Sequence, residues 1–320
     1  MKILITGGAG FIGSNLAKVF LNDGHQVVLF DNLSRPGVWQ NYRWLLENEN
    51  KPTLFLGDVR DALKVERAAE GAQVIFHFAS QVGVQASIDN PRLDFEVNAL
   101  GTLNVLEAAR KSKAQVIFAS TNKVYGYSED WKLGPLPRGL DENFPISFQT
   151  PYGCSKGAAD QYCLDYWRIY QVPTVVLRMS CIYGNRQFGT EEQGWLAHFM
   201  ISAFKKEPIT IYGDGKQIRD ILYIDDYIRL CQMLVAHKDK VQGQVFNIGG
   251  GPFNYISVND ALEDIFRRVG NTKVFHADWR TADQKIYVSN IDKIDSFTGW
   301  RPTIGVYKGL DKLEKWVKSL

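Results

Sequence analysis

Short apolar runs alternate with amphipathic segments along the first half of the chain. The runs are nearly continuous rather than alternating, which is typical of parallel strands covered on both faces. They predict strands at Ile3–Thr6, Val27–Asp31, Thr53–Leu56, Val74–Phe78, Val116–Ser120 and Thr174–Arg178. Helical spacing between the runs predicts helices over Phe11–Leu21, Phe95–Arg110 and about Tyr152–Tyr170. This alternation predicts an α/β fold with a doubly wound parallel sheet.

The second half of the chain is less regular. It holds two further strand patterns, Ile209–Tyr212 and Val245–Ile248, and an amphipathic helix that follows Ser257. We find no Pro/Gly-rich linker that would separate two independent domains. We therefore expect a cofactor-binding lobe over 1–178, with 221–249 returning to it. A smaller, interleaved C-terminal substrate lobe should comprise 179–220 and 250–320.

A glycine-rich stretch, Thr6–Gly13 (TGGAGFIG), joins the first predicted strand to the first helix. Glycines at such a turn let a pyrophosphate approach the backbone, and the helix N-terminus offers free amides to an anion. The pattern predicts a dinucleotide loop of the Rossmann type. A tight turn that needs glycine only for its backbone geometry is the alternative. The residues expected to line the dinucleotide here are Gly7, Gly10, Phe11, Ile12 and Gly13.

An acidic residue, Asp31, ends the second predicted strand. A carboxylate there would accept hydrogen bonds from the ribose hydroxyls and repel a 2′-phosphate, which favours NAD over NADP. Arg35 complicates this, because an arginine can accommodate that phosphate. The alternative to a ribose contact is that Asp31 only caps the end of the strand. Asp58 and Val59 follow the third strand, where an adenine contact or a simple loop cap is plausible.

Tyr152 and Lys156 lie four positions apart at the start of a predicted helix, so they share one face. A free phenol has a pKa of about 10 and is a poor base at neutral pH. A nearby ammonium and a positive nicotinamide ring would both favour the phenolate. Thr121 follows a strand that ends at the same sheet edge, where its hydroxyl could orient a substrate hydroxyl or simply satisfy the following turn.

Composition excludes several classes of function. The formal net charge of +2 gives no global field for nucleic acid or membrane partners. The first 13 residues are too rich in glycine for a signal peptide or a membrane span. Cys154, Cys163, Cys181 and Cys231 fit neither a metal pattern nor a disulfide framework. We expect no bound metal and a reducing, cytoplasmic setting.

Several motifs together resemble the extended short-chain dehydrogenase/reductase family over essentially the whole chain. They are TGGAGFIG, Asp31, HxAxQ at His77–Gln81, VNxxGTxNVLEAA at Val97–Ala109, STNKVYG at Ser120–Gly126 and YGCSK at Tyr152–Lys156. The resemblance implies a Rossmann lobe, bound NAD, and catalysis by Thr121, Tyr152 and Lys156. Further NAD contacts that it implies are Asn32, Asp58, Val59, Phe78, Ala79, Gln81 and Asn98.

Two departures from the family pattern narrow the reaction. Dehydratases of this family typically carry an Asp-Glu pair after the threonine, and decarboxylases a glutamate at the second position. Here these positions are Asn122 and Lys123, so no acid is available for elimination. Cys181 stands where an asparagine frequently contacts the diphosphate.

Longer stretches resemble the CDP-paratose 2-epimerase subfamily. They are CSKGAADQY at Cys154–Tyr162, RQF-x4-QGW at Arg186–Trp195 and GxGKQxRDxL at Gly213–Leu222. The resemblance implies inversion of C2 of a CDP-linked hexose. We also expect a homodimer or higher homo-oligomer. A 4-epimerase of another nucleotide sugar is the alternative, and a non-catalytic NAD-binding relative would be expected to lose Tyr152 or Lys156. The candidate contacts to the nucleotide sugar are Thr121, Asn122, Arg186, Gln187, Trp195, Arg219, Arg280 and Asp283.

Overall fold

Strands and helices alternate in the computed structural model, which describes residues 1–126 and 138–320. The strands are β1 (Lys2–Thr6), β2 (Gln26–Asp31), β3 (Thr53–Leu56), β4 (Val74–His77), β5 (Gln115–Thr121), β6 (Thr174–Met179), β7 (Cys181–Tyr183), β8 (Ile209–Tyr212), β9 (Ile218–Tyr223), β10 (Gln244–Ile248), β11 (Tyr255–Ser257), β12 (Val274–Ala277) and β13 (Ile286–Tyr287). The helices are α1 (Phe11–Asn22), α2 (Val38–Leu46), α3 (Ala62–Ala69), α4 (Val84–Asp89), α5 (Pro91–Phe95), α6 (Gly101–Ser112), α7 (Thr150–Tyr170), α8 (Trp195–Lys205), α9 (Ile224–Ala236), α10 (Lys238–Val241), α11 (Val258–Val269), α12 (Asp292–Thr298) and α13 (Val306–Val317).

Within the described residues, seven strands form a parallel sheet in the order β10-β6-β5-β4-β1-β2-β3. The chain winds in one direction from β1 to β3 and in the other from β4 to β6. Strands β1 and β4 therefore flank the topological switch point, where ligands bind in such sheets. This order confirms the predicted doubly wound fold, and the predicted strands agree with those observed to within one or two residues.

Both faces of this sheet are buried, which is why its strands are continuous apolar runs. Ile3 and Ile5 pack with Leu16 of α1 on one face. Leu4 points to the other face and packs with Ile75 and Val105. Full burial of such a side chain stabilises the fold by about 1.5–3 kcal/mol. The two apolar layers therefore fix where the polar ends of the strands emerge.

The C-terminal half supplies smaller sheets beside the main one. In the described part of the chain, β7, β9, β11 and β13 form a mixed sheet, and β8 pairs with β12. After β9 the chain returns to the main sheet as β10. The boundaries between the two lobes stay a prediction. Among the described residues, no helix has both the length and the apolar character needed to cross a membrane.

The predicted helix over Phe95–Arg110 is longer and less regular than its periodicity indicated. It starts with α5, passes through a π-helical turn at Glu96–Leu100, and continues as α6 to Ser112. Such turns often occur at functional sites. This one carries Asn98, whose side chain is buried between the first lobe's loops and α7.

Helix α7 is fixed to the sheet by a buried ion pair. Arg178 of β6 donates to both carboxylate oxygens of Asp160, each at 3.0 Å, and the Ser120 hydroxyl donates to the same carboxylate at 2.7 Å. Removing one partner of such a pair would leave a buried charge uncompensated. The network therefore holds the ends of β5 and β6 in a fixed relation to α7.

Candidate active site

A cleft of about 970 Å³ opens at the carboxyl ends of β1, β4, β5 and β6. This volume is at the upper end of the range usual for ligand pockets. Every residue expected from the sequence to contact cofactor or substrate lines the cleft, with the exception of Asn98 and Arg219. The cleft extends from the glycine loop, past Tyr152, to Asp283 in the second lobe.

The glycine loop leaves room for a ligand because side chains would not fit there. Gly7 has a φ of +67°, and a Cβ on it would lie 2.7 Å from the backbone nitrogen of Ala79. A Cβ on Gly13 would lie 2.4 Å from the Gly7 carbonyl oxygen. In the part of the chain that the structure describes, no side chain caps the N-terminus of α1. These free amides and the bare backbone fit a dinucleotide pyrophosphate.

Asp31 lies at the end of β2, with its carboxylate directed at the glycine loop. Its oxygens accept from the backbone N–H groups of Ala9, at 3.0 Å, and Leu33, at 2.8 Å. Burial raises the pKa of Asp31, although these hydrogen bonds oppose the shift. The residue thus caps the loop and also faces the cleft, so the two interpretations from the sequence are compatible.

The adenine end of the predicted cofactor site is formed by neighbouring loops. Asn32 donates to Asp58 at 3.1 Å, and a hydrogen bond from Arg60 lowers the pKa of Asp58 to about 2. Val59 is buried beside this carboxylate and packs close to Gly101. The carboxylate of Asp58 is therefore negative at neutral pH, and Arg60 binds both of its oxygens at 2.9 Å.

The segment that follows β4 forms one wall of the cleft, and the Asn98 side chain supports this segment from outside the cleft. Phe78, Ala79 and Gln81 line the cleft. The Asn98 side chain accepts from the Gln81 N–H at 2.9 Å and donates to the Gln81 carbonyl at 3.1 Å. The resemblance implied a direct contact between Asn98 and the cofactor, and this contact stays a prediction, since the Asn98 side chain does not line the cleft. Its observed contacts support the wall of the cleft.

Tyr152 is the central titratable group of the cleft. Burial raises the pKa of its phenol to about 12, whereas a hydrogen bond with Thr121 and the nearby Arg35 guanidinium lower it. Thr121 is also fixed, since its hydroxyl oxygen accepts from the Lys123 N–H at 3.2 Å. The protein alone therefore keeps this phenol protonated at neutral pH. A further positive charge must be placed beside it before it can act as a base.

Lys156 lies one helical turn beyond Tyr152 and lines the same cleft. Its ammonium donates to the Ala119 carbonyl at 2.5 Å and lies 4.3 Å from the centre of the Phe118 ring. Burial lowers the pKa of Lys156 to about 8, and the buried carboxylates of Asp160 and Asp94 act against that shift. We expected the ammonium to act directly on the phenol. In the structure, Thr121 and Arg35 lower the phenol pKa.

The turn after Thr121 is bound to the second lobe by two consecutive side chains. Asn122 donates to the Gln284 side chain at 2.9 Å, and Lys123 lies 3.5 Å from the Asp283 carboxylate. Arg219 donates to that same carboxylate at 2.8 Å. Arg219 therefore reaches the cleft wall through Asp283. Ion pairing with Arg219 and Lys123 outweighs the effect of burial and lowers the pKa of Asp283.

The segment between β7 and α8 forms the far wall of the cleft. Burial raises the pKa of the Cys181 thiol, which is hydrogen-bonded to Trp195. Gln187 is buried and donates to the Ile182 carbonyl at 3.2 Å. Trp195 packs edge-on against Phe199. Cys181, Gln187 and Trp195 all line the cleft, and Gln187 and Trp195 are among the residues that the sequence proposed as substrate contacts. The Cys181 thiol is neutral at neutral pH.

Two of the predicted arginine contacts differ in their surroundings. The Arg186 guanidinium lies 4.4 Å from the Trp44 ring centre, against α2 and thus beside the cofactor half of the cleft. Arg280 stacks on Tyr212 at 4.0 Å and donates to the Glu191 carbonyl at 2.8 Å. Both arginines line the cleft, Arg280 at its second-lobe end and Arg186 beside α2, and their contacts to a diphosphate stay predictions.

Sequence reasoning missed two cations of the cleft. It treated Lys123 only as a missing acid and Arg35 only as a complication for the choice of nucleotide. Both line the cleft on either side of Thr121 and Tyr152. A signal for Lys123 was present, because a lysine two residues beyond the proposed catalytic threonine must lie in the same turn. Among the described residues, no group of three or more His, Cys, Asp or Glu side chains could hold a metal ion.

Comparisons with known proteins agree with this geometry. Residues 3–249 match the model of the NAD dependent epimerase/dehydratase family. The chain is 42% identical to a CDP-paratose 2-epimerase from Salmonella typhi, over 100% of both chains. It is 32% identical to a putative UDP-glucose 4-epimerase from Methanocaldococcus jannaschii, over 99% of this chain and 98% of that one.

A solved structure shares the fold as well. The UDP-glucose 4-epimerase of Thermus thermophilus in complex with NAD superimposes with a TM-score of 0.85, at 30% identity. The match covers 99% of each chain. The likeness therefore includes both lobes and the cleft between them.

Replacing Gly13 with alanine should weaken NAD binding by at least about tenfold, equivalent to about 1.4 kcal/mol. The new Cβ would lie 2.4 Å from the Gly7 carbonyl oxygen, so the loop must move away from α1. The measurement is the NAD content of the purified protein and the affinity of the stripped protein for NAD.

Gly305→Ala is the matched control, because its Cβ would have its nearest neighbour at 3.8 Å. It should bind NAD as the parent does. Unchanged NAD content and affinity in Gly13→Ala would contradict the role given to the loop.

Proposed function

The chain belongs to the NAD-dependent epimerase/dehydratase family, and on this premise we propose that it inverts C2 of a CDP-linked hexose through a transient keto-sugar. It is a sugar-nucleotide epimerase whose cofactor is NAD. The proposed pairs of substrates are CDP-paratose and CDP-tyvelose, or CDP-glucose and CDP-mannose. The observation that carries the proposal is the full-length identity of 42% to a CDP-paratose 2-epimerase.

The polar residues of the catalytic turn support epimerisation over elimination. Loss of water from a sugar needs an acid beside the leaving hydroxyl. After Thr121 the turn offers the amide of Asn122 and the ammonium of Lys123, and the amide is already bound to Gln284. The turn can hold a sugar but has no carboxylic acid to protonate a leaving group.

The proposed reaction begins at Tyr152. NAD, when bound, would supply the acceptor and later the donor of the C2 hydride, and the positive charge of its oxidised ring would favour the phenolate. Tyr152, as the phenolate, takes the proton of the C2 hydroxyl, while Thr121 holds that oxygen. The C2 carbon becomes a ketone. After the sugar presents its opposite face, Tyr152 returns the proton to the same oxygen.

Lys156 has a supporting role in this scheme. Its ammonium lies on the floor of the cleft, bound to the Ala119 carbonyl, with two of its hydrogens left to donate to a cofactor ribose. Because burial lowers its pKa to about 8, the ammonium is the main form at neutral pH and is lost as pH rises through that value. The positive charge that it adds to the site therefore weakens above about pH 8.

The keto-sugar must turn while its nucleotide stays in place. Arg219 and Arg280 are proposed to hold the diphosphate, since a guanidinium matches phosphate oxygens geometrically. Arg280, on the segment before β13, lines the cleft, and Arg219 of β9 lies directly behind Asp283, to which it donates. Trp195 and Gln187 would then border the sugar, and neither side chain carries a charge.

We also propose that two copies of the chain pair through α5 and α7. Exposed apolar or weakly polar side chains follow one face of α7 at Cys154, Tyr162 and Ile169, and Leu93 and Phe95 extend this face on α5. The spacing of the three α7 positions fits a single helix face. An exposed apolar face of this kind, on a surface lined by two helices, favours a homodimer.

Tyr152→Phe should lower turnover by roughly 10²–10⁴-fold, the usual contribution of a general acid–base group. The ring and its packing are kept, so the melting temperature and the NAD content should match those of the parent. Turnover is measured by NMR of the sugar anomeric protons. Tyr170→Phe, which alters an exposed tyrosine at the end of the same helix, is the control and should be fully active. A Tyr152→Phe enzyme within about threefold of the parent, or about 0.7 kcal/mol of barrier, would require another base.

A panel of CDP-, UDP-, GDP- and dTDP-linked hexoses should show inversion at C2 and a preference for the CDP-sugars. The base and the reacting carbon are read from the NMR spectrum of each product. Inversion only at C4, or turnover of UDP-sugars with none of CDP-sugars, would replace this proposal with a 4-epimerase.

A further inference from the structure

Lys123 occupies a position that the proposed reaction does not yet use. It follows Thr121 by two residues in the same 3-10 turn, and its backbone N–H is hydrogen-bonded to the Thr121 hydroxyl at 3.2 Å. The side chain lines the cleft. A movement of the Lys123 backbone would therefore also move the Thr121 hydroxyl, which is proposed to hold the reacting oxygen.

The Lys123 ammonium reaches across the cleft to the substrate lobe. It lies 3.4 Å from the Ala282 carbonyl and 3.5 Å from a carboxylate oxygen of Asp283. Arg219 donates to that same oxygen at 2.8 Å. We define Lys123, Asp283 and Arg219 as the clamp cluster. Two cations of this cluster share one carboxylate, so one positive charge is not balanced within it.

The contacts of Lys123 are longer than those of a well-formed ion pair. Charge-assisted N–H···O bonds are usually about 2.7–2.9 Å long, as the Arg219 contact is. Lys123 is only one-fifth exposed, with a side-chain exposure of 22%. Burial lowers the pKa of Lys123, and Asp283 opposes that shift. A partly buried ammonium with long contacts can move to a more negative partner, such as a diphosphate.

We propose that Lys123 is the residue that selects C2, because it joins the catalytic turn to the diphosphate of the substrate. This inference rests on the proposed function. The ammonium would donate to a phosphate oxygen next to the sugar, while Asp283 stays paired with Arg219. One short turn would then contact the substrate at two points, through the Thr121 hydroxyl at the sugar and through the Lys123 ammonium at the phosphate.

The covalent structure of the substrate makes this distance decisive. C2 is bonded directly to C1, which bears the diphosphate, whereas C4 lies on the far side of the ring. A turn that contacts the phosphate through Lys123 and the reacting oxygen through Thr121 spans a short distance along the sugar. C2 fits that distance, and C4 would require the phosphate to lie farther from Tyr152.

The neighbouring side chain strengthens this interpretation. Asn122 is bound to Gln284 next to the Lys123–Asp283 contact, so the turn and the substrate lobe are held together at two consecutive positions. Gln284 in turn donates to the Gly126 carbonyl at 2.8 Å, at the end of the same turn. These contacts therefore hold the backbone of the turn that carries Thr121 against the segment that carries Asp283 and Gln284.

The test compares Lys123→Met with Lys216→Met, an exposed lysine of the same lobe as Arg219, as NAD-loaded proteins. Lys123→Met should bind CDP at least about tenfold more weakly, because a charge-assisted contact is lost. Its kcat for C2 inversion of CDP-glucose should also fall by at least about tenfold, since the reacting carbon is misplaced. Lys216→Met should match the parent in both measurements.

Two further variants separate charge from folding. Lys123→Gln keeps a donor toward the Ala282 carbonyl and should fold and retain NAD as the parent does, yet lose CDP affinity like Lys123→Met. Lys123→Arg keeps the charge and should bind CDP within about threefold of the parent.

The inference is overturned if the parent inverts C2 while Lys123→Met or Lys123→Gln retains its CDP affinity and kcat. A change in KM alone, with kcat intact, also overturns it, because the lysine would then contribute only to binding. A parent enzyme that leaves C2 of every CDP-sugar unchanged would instead show that the proposed function is wrong.

Discussion

The parallel pairing of β1 with β4, of β4 with β5 and of β5 with β6 is the constraint on which the site depends. It brings the carboxyl ends of four strands to one edge of the sheet, at the point where the winding reverses. The glycine loop begins where β1 ends, one wall of the cleft begins where β4 ends, and the catalytic turn begins where β5 ends. Both faces of the sheet are sealed by apolar side chains, so this edge is where polar groups can converge.

The two lobes contribute different chemistry to the cleft. The first lobe supplies bare backbone, free helix amides and the buried Tyr152, whose pKa of about 12 leaves it inert until a positive charge is added beside it. The second lobe supplies arginines and Asp283. The catalytic turn meets both lobes, and the contacts of Asn122 and Lys123 couple the reacting group to the nucleotide end. One short turn therefore carries both Thr121, which is proposed to hold the reacting oxygen, and the two side chains that bind the second lobe.

Local signals in the sequence were sufficient for the fold and the cofactor loop. Strands such as Val74–His77 are nearly continuous apolar runs, and the glycines from Gly7 to Gly13 directly follow the first strand, as in a dinucleotide loop. Contacts between distant segments were not accessible in this way. The pairing of Lys123 with Asp283 and the stacking of Arg186 on Trp44 depend on how the lobes meet, and periodicity carries no information about that. The hydrogen bond that Asn98 donates to Ser155 likewise joins two segments that are distant in the sequence.

The most direct test of the account uses CDP-glucose that carries deuterium at C2, incubated with the NAD-loaded enzyme in ordinary water. If Tyr152 moves only the hydroxyl proton and the C2 hydrogen returns without exchange with solvent, the CDP-mannose formed will retain deuterium at C2. Product with ordinary hydrogen at C2, at a rate matching turnover, would mean that the hydrogen exchanges with solvent. That result would contradict oxidation and reduction at C2 as the route of inversion.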